Sequence, residues 1–298
     1  MADVSLPTQN VAAIEVQRET SGWRRALRRI LGSPTTVIGL LLVGFAIALA
    51  ILAPMISPYD PIFGNLTDHL QAPSAVHAFG TDEIGRDILS RVIYGSQISL
   101  QIALSVQMIT LAVGLVLGLV SGYYGGWVDV IIMRIADIVM SFPLLIIAIA
   151  LVGVLGSTEI NIIVALALVS WPYVTRLTRS QVLSLKEQEY VTAARSLGAS
   201  NAVIMFRHIL PNLLTPVVVY VTLSIGGVIL SEAALSFLGL GSGDQSQPSW
   251  GKMLNEAKAY IRSAWWMPFF PGMAIMLTVL GFNLLGDGLR DALDVRSQ

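Results

Sequence analysis

Cysteine does not occur in this chain of 298 residues, which removes disulfides and thiolate metal ligands from its chemistry. Charge is scarce as well, at 12% Asp, Glu, Lys and Arg together. The lysines are three, Lys186, Lys252 and Lys258. None follows the glycine-rich arrangement of a phosphate-binding loop, so the chain is not expected to hydrolyse ATP by that device. The three histidines, His69, His77 and His208, are scattered without ligand spacing, and no metal site is expected. A net charge of −1 provides no basic field for nucleic acid. No nucleophile–base set or carboxylate pair stands out, and the apolar runs lack the repeated buried charges of a proton-driven pump. Any energy the protein uses is therefore expected to come from a partner.

What is plentiful is apolar surface. With 54% hydrophobic residues and a mean hydropathy of +0.72, the chain has more than one soluble core can hide, which makes it an integral membrane protein. The expected fold is all-α and polytopic, with six transmembrane helices over about 37–56, 98–122, 131–155, 160–178, 209–238 and 267–286. Each is long enough, at about 1.5 Å per residue, to cross a hydrocarbon layer of about 30 Å.

Residues 1–22 are polar, carry no apolar stretch or small-residue cleavage site, and are expected to be a disordered tail rather than a signal peptide. Arg24, Arg25, Arg28 and Arg29 alternate with Trp23, Leu27, Ile30 and Leu31, which reads either as an amphipathic surface helix or as a topological anchor. The stretch after the first span is rich in Pro, Gly, Asp and Asn. It ends in an expected helix from Thr81 to Tyr94, capped by Thr81. Gly114, Gly118, Gly122 and Gly126 recur every fourth residue, a spacing that lets two helix backbones approach closely in lipid. Arg134 and Asp137 share a helical face near the water boundary and are expected to form an intrahelical ion pair, with a kink following at Pro143. Glu232, near the end of the fifth span, either lines a pathway or snorkels to the interface.

Between the fourth and fifth spans lies a charged island, Lys186 to Pro211. Its pattern predicts a helix with Tyr190, Val191, Ala194 and Leu197 on one side and Glu189, Thr192, Arg195 and Ser196 toward the other. Gly198 suits the left-handed residue that ends such a helix. Ser200 caps a second one with Val203, Phe206 and Leu210 on one stripe, and Pro211 interrupts the pattern. Of the 18 Lys and Arg, 13 fall in the tails, the second-to-third and fourth-to-fifth connections and their edges, so the positive-inside bias places both termini and this island in the cytosol.

Thr192-Ala193-Ala194, Gly198 and Leu210-Pro211 resemble the coupling loop of ABC importer membrane subunits. Thr192 stands where the family pattern has Glu, and His208 where it has Ile. The wording Tyr190-Val191-x-Ala193-Ala194-Arg195 and His208-Ile209-Leu210-Pro211-Asn212 is similar to the dipeptide and oligopeptide branch. So are Phe79 to Arg91, Ala234 to Gly241, Pro248 to Gly251 and Phe282 to Asp291, and together the similarity covers nearly everything after residue 34.

The resemblance implies a type I ABC importer transmembrane domain over 97–287 with a cytosolic coupling loop at 180–210. Ahead of it come a cytosolic tail (1–34) and a first span with an extracytoplasmic segment (35–96), and behind it a cytosolic tail (288–298). It further implies a bacterial cytoplasmic (inner) membrane location and a heterodimer with a second, homologous permease. Two cytosolic ATPase subunits that use ATP and Mg, and an extracytoplasmic solute-binding protein, complete the assembly. No cofactor is expected in this chain itself. The substrate would be a dipeptide or short oligopeptide; nickel chelates, glutathione or another small solute are the alternatives within the architecture, and a stand-alone channel or secondary transporter the alternative outside it. The residues implied in ATPase coupling are Glu189, Tyr190, Thr192, Ala193, Ala194, Arg195, Gly198 and Pro211, and those in helix packing Gly114, Gly118 and Gly122.

Overall fold

The computed structural model describes residues 31–241 and 248–293. The tail and surface helix expected over 1–30 lie outside the described residues, as do 242–247 and 294–298. Among the described residues the main helices follow in order: α1 Pro34–Ile56, α2 Ile88–Tyr124, α3 Gly126–Met140, α4 Leu144–Leu155, α5 Glu159–Leu185, α6 Glu189–Ser196, α7 Asn201–Leu240, α8 Trp250–Ala257 and α9 Trp266–Leu293. Five of them (α1, α2, α5, α7 and α9) are long and apolar enough to cross a membrane. The α3–α4 pair supplies a sixth span if it is counted as one.

That pair bends by 87°. The third span is thus broken rather than kinked, because Pro143 lacks an amide donor, sits in extended backbone and becomes the cap of α4.

The helix expected from Thr81 does not start there. Thr81 Oγ1 accepts from the amide of Gln71 at 2.8 Å, so it is not free to cap, and Gly85 turns the chain at φ +80°. Asp87 caps instead, accepting from Ser90 N at 2.7 Å, and α2 then runs unbroken for 37 residues through the expected second span. The segment from 57 to 87 folds back over this start. Asp82 accepts from the guanidinium groups of Arg86 (2.6 Å) and Arg91, which also reach Glu256 in the last turn of α8 (3.2 and 2.7 Å).

The most extensive packing joins α2 to α5, and α9 lies between α1 and α7. One apolar cluster includes Ile102, Val106, Leu166, Ile229, Trp250 and Phe282. A second, at the α6 end, gathers Leu119, Val174, Val182, Val191, Ile204, Ile209 and Leu213. Along α1 the buried residues Thr36, Gly39, Val43, Ala46 and Ala53 form only a narrow stripe, which leaves Leu41, Ile51 and Met55 open. Such outward apolar surface is stable facing lipid.

Candidate functional site

The charged island forms two helices, but the second does not stop. Ser200 caps as its sequence predicts, accepting from Val203 N at 3.4 Å. Residues Ile204–Ile209 then widen into a π-helical segment that passes directly into the fifth span, with Pro211 in its first turn. Proline at that place lacks only a donor that the wider turn leaves unused. The π segment also shifts the helix phase. The buried residues are consequently Ile204, Met205 and Ile209, while Val203 and Phe206, two of the residues expected on the packing stripe, are 42% and 60% exposed.

The short helix α6 stands out from the bundle on one anchor. Val191 is fully buried in the second cluster, whereas Glu189, Tyr190, Thr192, Ala193, Arg195 and Gly198 are exposed and Ala194 is half-buried. Leu197, expected on the packed side, is 89% exposed. Gly198 ends the helix at φ +82°; its amide reaches Arg195 O at 3.0 Å, and Ala199 N reaches Ala194 O at 3.1 Å. Asn212 Nδ2 donates to the Tyr190 hydroxyl at 3.4 Å. Both flanks of α6 are tied to adjacent residues of α2: Lys186 Nζ donates to Gly122 O at 3.3 Å, and the Tyr123 hydroxyl to Asn201 Oδ1 at 2.8 Å.

The glycines of α2 carry this region against α5. A Cβ on Gly114, Gly118 or Gly122 would lie 2.5, 2.5 or 2.8 Å from the Cβ of Val174, Thr178 or Val182, which repeat every fourth residue on the facing helix. Gly126 does not belong to this row. It opens α3 at φ +54° with nothing close to it.

Two interhelix ion pairs then fasten α3 to α5. Arg179 grips both carboxylate oxygens of Asp129, at 2.5 and 2.6 Å, and Ser121 of α2 donates to the same carboxylate at 2.5 Å. Arg176 pairs with Asp137. The expected Arg134–Asp137 pair is not formed, because Asp137 turns toward the neighbouring helix, where the flexible Arg176 side chain reaches it across the crossing.

Among the spaces between the described helices, two carry several polar side chains. A cleft of about 850 Å³ beside α6 is bounded by α5, α7 and α9 and includes Gln181, Gln188, Asn212 and Arg290. Deeper, a cavity of about 270 Å³ lies among α2, α4, α5 and α7. Its polar residues are Gln107, Thr110, Ser170, Tyr173, Tyr220, Ser224 and Ser231, with no charged side chain among them. Sequence reasoning did not single these out; the available signal was a glutamine in the middle of an uncharged run.

At the far end of the bundle Glu232 neither lines these spaces nor reaches an interface. It is 1% exposed and accepts from Ser236 Oγ (2.7 Å) and Ser249 Oγ (3.0 Å), the latter being the cap residue of α8. Carboxylate oxygens of Asp82, Glu83 and Glu256 come within 4.8 Å of one another. The cations paired with them are Arg86 and Arg91, which makes the group an ion-pair knot rather than an open metal site. Burial pushes the Glu83 carboxyl above its usual range, and the nearby Asp82 and Glu256 add to this against the opposing pull of its backbone hydrogen bond and Arg86.

Comparison with known proteins places this architecture. The family described as binding-protein-dependent transport system inner membrane component matches residues 114–297, and the N-terminal transmembrane domain of oligopeptide transport permease C matches residues 21–73. A dipeptide transport system permease protein of Alkalihalophilus pseudofirmus is 46% identical over 92% of this chain and 90% of its own length. Glutathione transport system permease proteins of Escherichia coli and Shigella sonnei are 48% identical over 91% of this chain and 88% of theirs.

Proposed function

The chain belongs to the family of binding-protein-dependent transport inner membrane components, as a permease of the dipeptide and oligopeptide type, and on that premise we propose that it passes dipeptides or short oligopeptides into the cytoplasm under the drive of separate ATPase subunits. In this reading it pairs with a second, homologous permease, receives solute from an extracytoplasmic binding protein, and docks two cytosolic ATPases that use ATP and Mg. Both termini and α6 face the cytosol, as the distribution of Lys and Arg favours.

The observation that carries the proposal is the mounting of α6. Its outer face offers Thr192, Ala193, Arg195 and Leu197 to water, and its inner face enters, through Val191, a cluster made by α2, α5 and α7. Force on the outer face therefore reaches three spans at once. Small Ala193 and Ala194 let a partner groove close over the helix, and Arg195 offers it a charged contact. Movement of the ATPases on nucleotide binding shifts the spans between inward- and outward-open arrangements, and ligand biases that equilibrium only through different affinities for the two.

The similarity to glutathione permeases supports a second reading, in which the solute is glutathione. Extraction in mild detergent, identification of the attached subunits, and reconstituted ATP-dependent uptake of peptides and of glutathione test both. Attached ATPases with peptide uptake are expected. Solute flux through the purified chain alone would overturn the proposal.

A further inference from the structure

The cavity among α2, α4, α5 and α7 holds an unusual number of uncommitted polar groups. Gln107 is 3% exposed and spends one amide hydrogen on Ser224 Oγ at 2.8 Å; that serine in turn donates to Val221 O at 2.9 Å. The Gln107 Oε1 acceptor has no hydrogen bond among the described residues. Thr110 is 2% exposed, and its buried hydroxyl is likewise without a partner. Ser170, Tyr173 and Tyr220, on the same wall, make no hydrogen bond through their hydroxyls among the described residues. Unpaired polar groups in apolar surroundings are costly, and the buried Gln107 and Thr110 lie on the wall of one space of about 270 Å³ that Ser170, Tyr173 and Tyr220 also line, an arrangement placed for a guest.

The guest's chemistry follows from the donors and acceptors. With no charged side chain in the lining, the wall cannot compensate a buried ammonium or carboxylate. It can match a group that both donates and accepts while neutral, since glutamine provides an acceptor and hydroxyls provide donors. Resting on the peptide-import reading above, the geometry points to a binding subsite for the uncharged peptide bond of the solute, with the amide N–H donating to Gln107 Oε1 and the carbonyl oxygen accepting from the Thr110 and Tyr220 hydroxyls. The charged ends of the peptide then project away from this wall.

The test uses the full complex reconstituted with its binding protein, supplied with dialanine or with dialanine methylated on the amide nitrogen. Both are added at concentrations that saturate the binding protein. The wild-type complex should take up dialanine about three- to tenfold faster, the range expected of one hydrogen bond. Gln107→Met, which keeps the side-chain volume, should bring that ratio toward one. Thr110→Val, of matching shape, should slow both peptides and leave the ratio in place. If Gln107→Met does not assemble, Gln107→Asn reads the same ratio through a shortened amide. A wild-type ratio of one, or a ratio unchanged by the Gln107 variants, overturns the subsite while leaving peptide import standing. Uptake of neither peptide, with uptake of a different solute, overturns the import reading itself.

Discussion

Arg179 of α5 holds the Asp129 carboxylate of α3 with two hydrogen bonds, at 2.5 and 2.6 Å, across fifty positions of sequence. The carboxylate also accepts from Ser121 of α2, so a single side chain joins three helices next to the segment that carries α6. A two-pronged guanidinium grip of this kind fixes orientation as well as distance. In a double-mutant cycle with Asp129→Ala and Arg179→Ala, thermal unfolding in detergent should give a coupling energy of about 1–2 kcal/mol. A value near zero would mean that the pair does not hold the helices.

The glycine row makes a prediction with an internal control. Gly118→Leu would drive its Cβ to 2.5 Å from Thr178 Cβ and 2.6 Å from Thr175 O. Overpacking of that kind costs about 1–3 kcal/mol, and more when backbone is struck. Gly153 in α4 has nothing within 4 Å. Gly153→Leu should therefore leave the melting temperature and monodisperse yield near wild type, while Gly118→Leu lowers both.

Gly198 needs its positive φ, although there is open space around it. A branched residue such as valine there would strain the turn by about 1–3 kcal/mol, enough to redirect α6 without disturbing the spans. Gly198→Val should insert normally yet lose peptide uptake and substrate-stimulated ATP hydrolysis in the assembled complex. Retained transport would remove α6 from the coupling role.

Glu83 supplies a pH dependence. Burial raises its carboxyl pKa in the folded state. A group whose folded pKa is raised binds more protons when folded, so its contribution to stability grows as pH falls into the window just above the ordinary glutamate range, and is lost as pH rises through the folded value. Glu83→Gln should therefore protect the 57–87 segment against proteolysis at neutral pH and remove the gain in protection that the wild type shows as pH falls toward the ordinary glutamate range. Greater sensitivity of the glutamine variant at neutral pH would reverse the assignment.

Glu232 anchors α8 through its cap residue, Ser249, and also accepts from Ser236 one turn further along α7. Glu232→Ala leaves two buried hydroxyls without their acceptor, at a cost of about 1–3 kcal/mol. Exchange of the α8 amides should accelerate in that variant, and Glu232→Gln, which keeps an acceptor oxygen, should restore most of the protection.

Much of this molecule is local and was therefore legible. Gly198 at the end of α6, Ser200 as a cap and the regular row Gly114, Gly118 and Gly122 each follow from how one residue meets its near neighbours. The errors have a common source. A shared helix face pairs Arg134 with Asp137, but a side chain near a helix crossing also sees another helix, and there Arg176 takes the carboxylate. Thr81 precedes two acids as a cap would, yet the amide of Gln71, ten positions back, donates to its hydroxyl.

The order of residues alone settles that the chain lives in lipid, that it is helical throughout its spans, and that one short charged island interrupts them. Apolar run length and helical spacing need no knowledge of neighbours. Packing in three dimensions settles which glycine meets which valine, that the α3–α4 span breaks, and that Gln107, Thr110 and Tyr220 line one cavity. Those facts depend on how helices far apart in sequence cross, and a rotation of one helix by half a turn about its axis would send the same side chains to lipid.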